Sequence, residues 1–114
     1  MNERRKNDRI DAYDVGLAVV NGIDDEHLGI VGNLSQGGMM LITTRQLYSD
    51  GFLQLKIKAP AELGCKPISM GVKVLWCTPA NSPNEYWAGV ETIDMSTVDR
   101  EALQCVLDHL SDTV

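Results

Sequence analysis

Apolar and polar residues alternate in short runs through most of the chain, and the period changes only near the C-terminus. Between Ala12 and Asn21, Val15, Leu17 and Val19 alternate with their neighbours, which predicts a strand rather than a helix. Asn21-Gly22 then turns the chain through an acidic tip, Asp24-Asp25-Glu26. Leu28 to Gly32 reads as a second strand, whose glycines point to a bulge or a close backbone approach. Asn33 to Gly38 forms a corner, and Met39 to Thr44 is a third strand. After the turn Tyr48 to Gly51, Leu53, Leu55 and Ile57 alternate with Gln54, Lys56 and Lys58, giving one apolar and one wet face. Ala59 to Lys66, with Pro60 and Gly64, is a connecting loop. From Ile68 the alternation is cleanest: Ile68, Met70, Val72, Val74 and Trp76 are expected on one face, with Ser69, Gly71, Lys73, Leu75 and Cys77 on the other. A breaker-rich loop from Thr78 to Asn84, with Pro79 and Pro83, leads to a sixth strand, Tyr86 to Glu91.

Beyond Asp94 the period lengthens. Ser96 with Asp99 three residues later fits a capping box, and Leu103, Val106, Leu107 and Leu110 form one stripe of an amphipathic helix over about 97–111. Six short antiparallel strands invite closure into a barrel, because closure removes exposed edges, and the helix then covers an opening or a flank. The expected architecture is mainly β: a six-stranded antiparallel barrel with a C-terminal α-helix as a single domain over 12–114, preceded by an arm over 1–11.

Composition supports one core and no more. The chain has 114 residues, of which 44% are hydrophobic, enough for one compact domain and too few for two ordinary ones. No apolar run approaches the ~20 residues of a membrane span, and no signal-peptide stretch follows the charged N-terminus, so a cytoplasmic location is expected. Cys65, Cys77 and Cys105 are an odd number without a C-x-x-C pair. That set fits reduced thiols better than a disulfide frame or a zinc site, with Cys77 and Cys105 as packing residues and no metal expected.

Charge then separates the two ends of the chain. The arm, Asn2 to Arg9, carries Arg4, Arg5, Lys6 and Arg9 against Glu3 and Asp8, a local charge of +2. The remainder has six Lys/Arg and fourteen Asp/Glu, a charge of −8, which together give the net −6. A positive arm on an acidic body suggests an anionic partner. A nucleic acid polymer is excluded by the pI of about 4.7 and the scarcity of aromatics, since duplex binders spread cations over a face and single-strand binders need a basic, aromatic sheet. A small anion fits better. Arginine, three of the arm's four cations, grips phosphate or the O6/N7 edge of guanine through two parallel hydrogen bonds.

A second motif sharpens this. Asn33-x-Ser35-x-x-Gly38 supplies residues that any tight turn favours. Paired with Arg5-x-x-x-Arg9, however, it resembles the signature of the PilZ domain, the bacterial family that binds the second messenger cyclic di-GMP. The resemblance extends to the Val72 to Trp76 strand, the Trp87 to Val90 strand and the closing helix. Asn33 stands where the family more often has aspartate, so a neutral amide replaces a charged acceptor. The resemblance implies that Arg5 and Arg9 clamp phosphate and the guanine edge, that Asn33 and Ser35 meet the ligand from the barrel, and that Gly38 keeps the backbone close. Arg5 and Arg9, four residues apart, span at most ~14 Å and so reach one dinucleotide.

Arg4 directly precedes the motif. Relatives with arginine there tend to bind an intercalated pair of cyclic di-GMP molecules, so two ligands per chain are implied, with no cofactor. Trp76 is expected to pack in the core and is also a candidate additional ligand contact, because π faces stack on bases and arginines. His27 and His109 stand alone, and the acidic tip reads as a solvated turn, so an enzyme is not expected. Two functions remain: a cyclic di-GMP receptor whose altered surface signals to a partner protein, or a nucleotide-independent PilZ-like adaptor. Adaptors of that kind have usually lost the arginine motif, which this chain keeps.

Overall fold

The computed structural model describes residues 9–111. Among these residues seven strands precede one α-helix: β1 (Ile10–Asp11), β2 (Ala18–Asn21), β3 (His27–Leu34), β4 (Gly38–Thr43), β5 (Phe52–Lys58), β6 (Ile68–Pro79), β7 (Tyr86–Asp94) and α1 (Thr97–Ser111). The sheet runs β3-β2-β5-β6-β7-β4, and β4 pairs back onto β3, which closes a six-stranded antiparallel barrel. The six expected strands are the six barrel strands. Leu17, Val19, Met39, Leu41, Leu55, Ile57, Val72, Val74, Ala88 and Val90 fill its interior, each essentially inaccessible.

Two differences from the expected strands bear on function. The run from Ala12 to Asn21 is not one strand. Asp11 Oδ1 accepts the Tyr13 N–H (3.1 Å), the Val15 N–H reaches the Ala12 carbonyl (3.1 Å), and Gly16 adopts φ +84°, so a turn interrupts the alternation. On either side of that turn, β1 and β2 occupy successive segments of β3: Ile10 and Asp11 pair with Leu34 and Asn33, while Ala18 and Val19 pair with Ile30 and Gly29. The last residues of the expected arm are therefore a seventh strand.

The second difference is in β6. Val74 pairs with Val90 and Trp76 with the adjacent Gly89, so an extra residue, Leu75, bulges out. Beyond the bulge the faces exchange. Trp76, expected in the core, lies on the outer surface, and Cys77 turns inward to pack on the core and to accept the Leu47 N–H at 3.4 Å.

The helix forms as its pattern predicts. Ser96 Oγ accepts the Asp99 N–H (3.1 Å) and donates to Asp99 Oδ2 (2.7 Å), a reciprocal cap of the first turn. Asp99 Oδ1 also accepts the Ser69 N–H of β6 at 3.0 Å, which sets the helix start against the barrel. Ala102, Leu103, Val106 and Leu107 are buried, and α1 packs on β6 and β1.

A covalent link adds to that packing and corrects the expectation of reduced thiols. Cys65, in the loop before β6, is disulfide-bonded to Cys105 of α1, with the Cα atoms 5.9 Å apart. The 40-residue separation hides the pair in the sequence, because only the fold returns the loop to the helix. Cys77 is the free cysteine among the described residues. No described helix is long and apolar enough to cross a membrane.

Candidate functional site

The site is built from the β3–β4 corner outward. Ser35 is buried, and its hydroxyl donates to the Gly38 carbonyl (3.1 Å) while accepting the N–H groups of Gly37 and Gly38 (3.2 Å each). One donor and two acceptor sites exhaust a hydroxyl. The Ser35 N–H also reaches the Gly38 carbonyl at 3.0 Å, and the Gly37 carbonyl accepts the Thr92 N–H of β7 at 3.0 Å. Gly38 is required by crowding: a Cβ there would stand 2.5 Å from the Val90 carbonyl oxygen. Ser35 and Gly38, expected to touch a ligand or admit it closely, are thus occupied in bracing the corner against β7.

Asn33 is what the corner presents. It sits half-buried beside a bulge of β3, pairing with Met40 of β4 on one side and Asp11 of β1 on the other. Because β1 runs antiparallel to β3 here, Arg9 emerges next to it. Arg9 Nη1 donates to Asn33 Oδ1 at 3.2 Å, a bond that joins the two sequence motifs directly. Arg4 and Arg5 lie outside the described residues.

Arg9 and Asn33 form the rim of a groove of about 730 Å³ on the outside of the barrel. Its floor is apolar: Ile30, Met40, Ile42 and Trp87 are outward-facing residues of β3, β4 and β7. Ile42 pairs with both Ile30 and Trp87, so these three lie in one cross-strand row. The loop after β6 contributes Asn81, Ser82 and Glu85 as the far wall. That loop is held by the Ala80 N–H on the Glu85 carbonyl (2.8 Å). Trp87 is 41% exposed, a large flat surface left open to solvent. The floor could receive flat apolar rings, and the rim offers hydrogen-bond partners to their polar edges. Among the described residues lining the groove, Arg9 is the one side chain with a permanent positive charge, against the carboxylates of Asp11 and Glu85.

Trp76 is not a wall of this groove. Its indole lies over Gly89, where a Cβ would collide with Nε1, in the row that continues through Met40 to Asn33. It therefore flanks the site two strands beyond Met40. Trp87 was the tryptophan to pick from sequence. In Tyr86-Trp87-Ala88-Gly89-Val90, the small Ala88 and the Val90 take the inward positions, which sends Trp87 outward.

Comparison with known proteins gives a consistent picture. The family model described as the PilZ domain matches residues 3–109. Among solved structures, the chain is similar to the Bacillus subtilis inhibitor of motility (MotI/DgrA), with a TM-score of 0.71 and 23% identity, covering 97% of this chain and 53% of that one. It is similar also to the PilZ domain of Escherichia coli YcgR with c-di-GMP (TM-score 0.71, 16% identity, 96% and 92% covered). A third likeness is the K. pneumonia MrkH–c-di-GMP complex (TM-score 0.71, 17% identity, 97% and 54% covered). At these identities the likeness is one of fold, and the chain spans about half the length of the inhibitor of motility and of MrkH. No curated protein sequence matches.

Proposed function

The chain belongs to the PilZ domain family, and from that premise we propose that it is a receptor for cyclic di-GMP, which fastens the arginine-rich arm against the barrel. The surface altered by that event is then read by a partner protein. The observation that carries this reading is the Arg9–Asn33 hydrogen bond at the rim of an apolar groove, since it unites the two halves of the ligand signature at one place. Solved relatives of the same fold, YcgR and MrkH, carry c-di-GMP.

The chemistry follows from the groove's composition. Guanine rings lie on the floor of Ile30, Met40, Ile42 and Trp87, and aromatic stacking contributes about 1–3 kcal/mol per base. Asn33 turns from Arg9 to the guanine edge, its carbonyl accepting and its amide donating. One arginine against two carboxylates does not attract a ligand with two phosphates, so the remaining charge comes from Arg4 and Arg5. Those two, with Arg9, take the phosphates and the O6/N7 edges as bidentate partners. Ser35 and Gly38 hold the corner that aims Asn33, and Trp76 meets the arm or a second ligand from the flank. Arg4 makes that second ligand part of the proposal: two cyclic di-GMP molecules per chain, stacked as an intercalated pair. The activity is binding without turnover, in keeping with a family whose members act as binding and effector proteins.

Isothermal titration of the purified chain with cyclic di-GMP tests this, run beside an Arg5→Ala/Arg9→Ala variant and with GTP as a control. Saturable heat from the wild type, at least about 100-fold weaker in the double variant, is expected from the loss of two charge-assisted contacts of about 1.5–3 kcal/mol each. A stoichiometry of two, falling to one in Arg4→Ala, is expected for the stacked pair, and a wild-type value of one would remove that part. A folded chain that gives no heat and no thermal shift at high ligand concentration would replace the receptor by the nucleotide-independent adaptor.

A further inference from the structure

The disulfide that clasps α1 has a third donor beside it. Cys105 and His109 are four residues apart on the helix and so share one face, and the loop delivers Cys65 to the same place. The Sγ atoms of both cysteines and a ring nitrogen of His109 all lie within 4.8 Å of one another. Two sulfurs and an imidazole converging from a helix and a loop are the donor set of a tetrahedral zinc site. The absence of a C-x-x-C pair argues against zinc in the sequence, but the fold brings Cys65 to Cys105 across a separation of 40 residues.

We infer that the reduced chain binds one Zn²⁺ through Cys65, Cys105 and His109, so that the clasp on α1 exists in two chemical forms. In the oxidised form the sulfurs are bonded to each other. A dithiol reductant supplies two electrons and two protons, which cleaves the S–S bond to two thiols and leaves the reductant as its own disulfide. Each thiol then releases its proton to solvent as a zinc–sulfur bond forms, and neutral His109 gives a ring-nitrogen lone pair. The fourth position falls to water or to a neighbouring carboxylate: Glu101, one turn before Cys105, and Asp108 line the recess at that point.

Geometry permits the exchange with little movement. Zn–S bonds of about 2.3 Å at a tetrahedral angle place the two sulfurs about 3.8 Å apart. The Cα separation of 5.9 Å accommodates that span by rotation about the side chains, and Cys65 sits on an irregular loop segment directly after Gly64, at φ +67°. Both cysteines are half-buried and His109 is exposed, so the metal has a path from solvent. Reducing conditions, which break the disulfide, are those in which zinc would replace it.

The test uses the full chain, reduced with a phosphine and transferred to metal-free, oxygen-free buffer. Zn²⁺ is titrated against a chromogenic chelator, and Co²⁺ serves as a spectroscopic probe. One equivalent per chain is expected, with a tetrahedral d–d spectrum and sulfur-to-cobalt charge transfer for Co²⁺. Cys105→Ser should abolish stoichiometric binding, and Cys77→Ser should leave it unchanged. His109→Ala, which keeps both thiols, should weaken zinc at least about tenfold, the smallest loss usual even for a partner one shell further out. Far-UV circular dichroism accompanies each titration, and zinc should raise the melting temperature of the reduced wild type. Failure to bind one equivalent, equal binding by the oxidised chain, or wild-type affinity in His109→Ala would each overturn the assignment.

Discussion

The helix end of the barrel and the groove face use similar side chains to opposite ends. At the helix end Ala102, Leu103, Val106 and Leu107 are covered, the first turn is capped by Ser96 and Asp99, and a disulfide joins loop to helix. On the groove face Ile42 and Met40 are half-buried, Trp87 is open to water, and a side-chain hydrogen bond from Arg9 to Asn33 crosses the rim. Apolar surface that finds its partner within the chain contributes stability. Apolar surface left open beside polar groups is a binding site in waiting. The two regions should therefore respond to substitution in different currencies, one in stability and the other in affinity.

The disulfide offers the largest effect. Closing a loop of 40 residues stabilises by about 4 kcal/mol in the chain-entropy account. Cys65→Ser/Cys105→Ser, in chelator, should lose about that much in chemical denaturation while the folded fraction binds cyclic di-GMP with wild-type affinity. Equal losses in stability and affinity would show that the helix end and the groove are one cooperative unit. Trp87→Ala is the converse. It should weaken cyclic di-GMP by about 1–3 kcal/mol, roughly 5–150-fold in calorimetry. Its stability should stay within about 0.5 kcal/mol of wild type, as for surface positions generally. Unchanged affinity in Trp87→Ala would move the ligand off this floor.

Ser35→Ala tests the hinge between the two regions. Its hydroxyl spends its three hydrogen bonds within the corner, so removal leaves the N–H groups of Gly37 and Gly38 without it. A stability loss of about 1–2 kcal/mol is expected from that desolvation. Affinity should fall with it, because Asn33 loses its aim. Lost affinity at full stability would instead make the hydroxyl a ligand contact and not a brace.

What could be read from the sequence divides along the same line. Strands were legible because one buried face imposes a period of two, and the helix because its cap and stripe are local. The groove was partly legible: Arg9 and Asn33 stand in recognisable motifs, and the alternation around Ala88 and Val90 sends Trp87 outward. Features that depend on a count of one were not. A single bulged residue, Leu75, moves Trp76 from core to surface and Cys77 from surface to core. The strand Ile10–Asp11 is too short to show a period, and it exists because β3 offers an edge beyond the end of β2. Cys65, Cys105 and His109 meet only through the closed barrel, so no spacing in the chain announces them.

The smallest effect concerns the other serine. Ser96 and Ser35 both receive the N–H of the residue three positions on, one at a helix start and the other at a sheet corner. The difference lies in what depends on them. Ser96→Ala removes a helix cap worth about 1 kcal/mol, and Asp99 keeps its second contact, the N–H of Ser69. We expect a loss of about 1 kcal/mol in thermal or denaturant unfolding and no change in cyclic di-GMP affinity, because the first turn of α1 meets β6 and not the groove. A Ser96→Ala chain with altered affinity would break the separation of the two regions at its weakest expected link, and would make the helix start part of what the ligand controls.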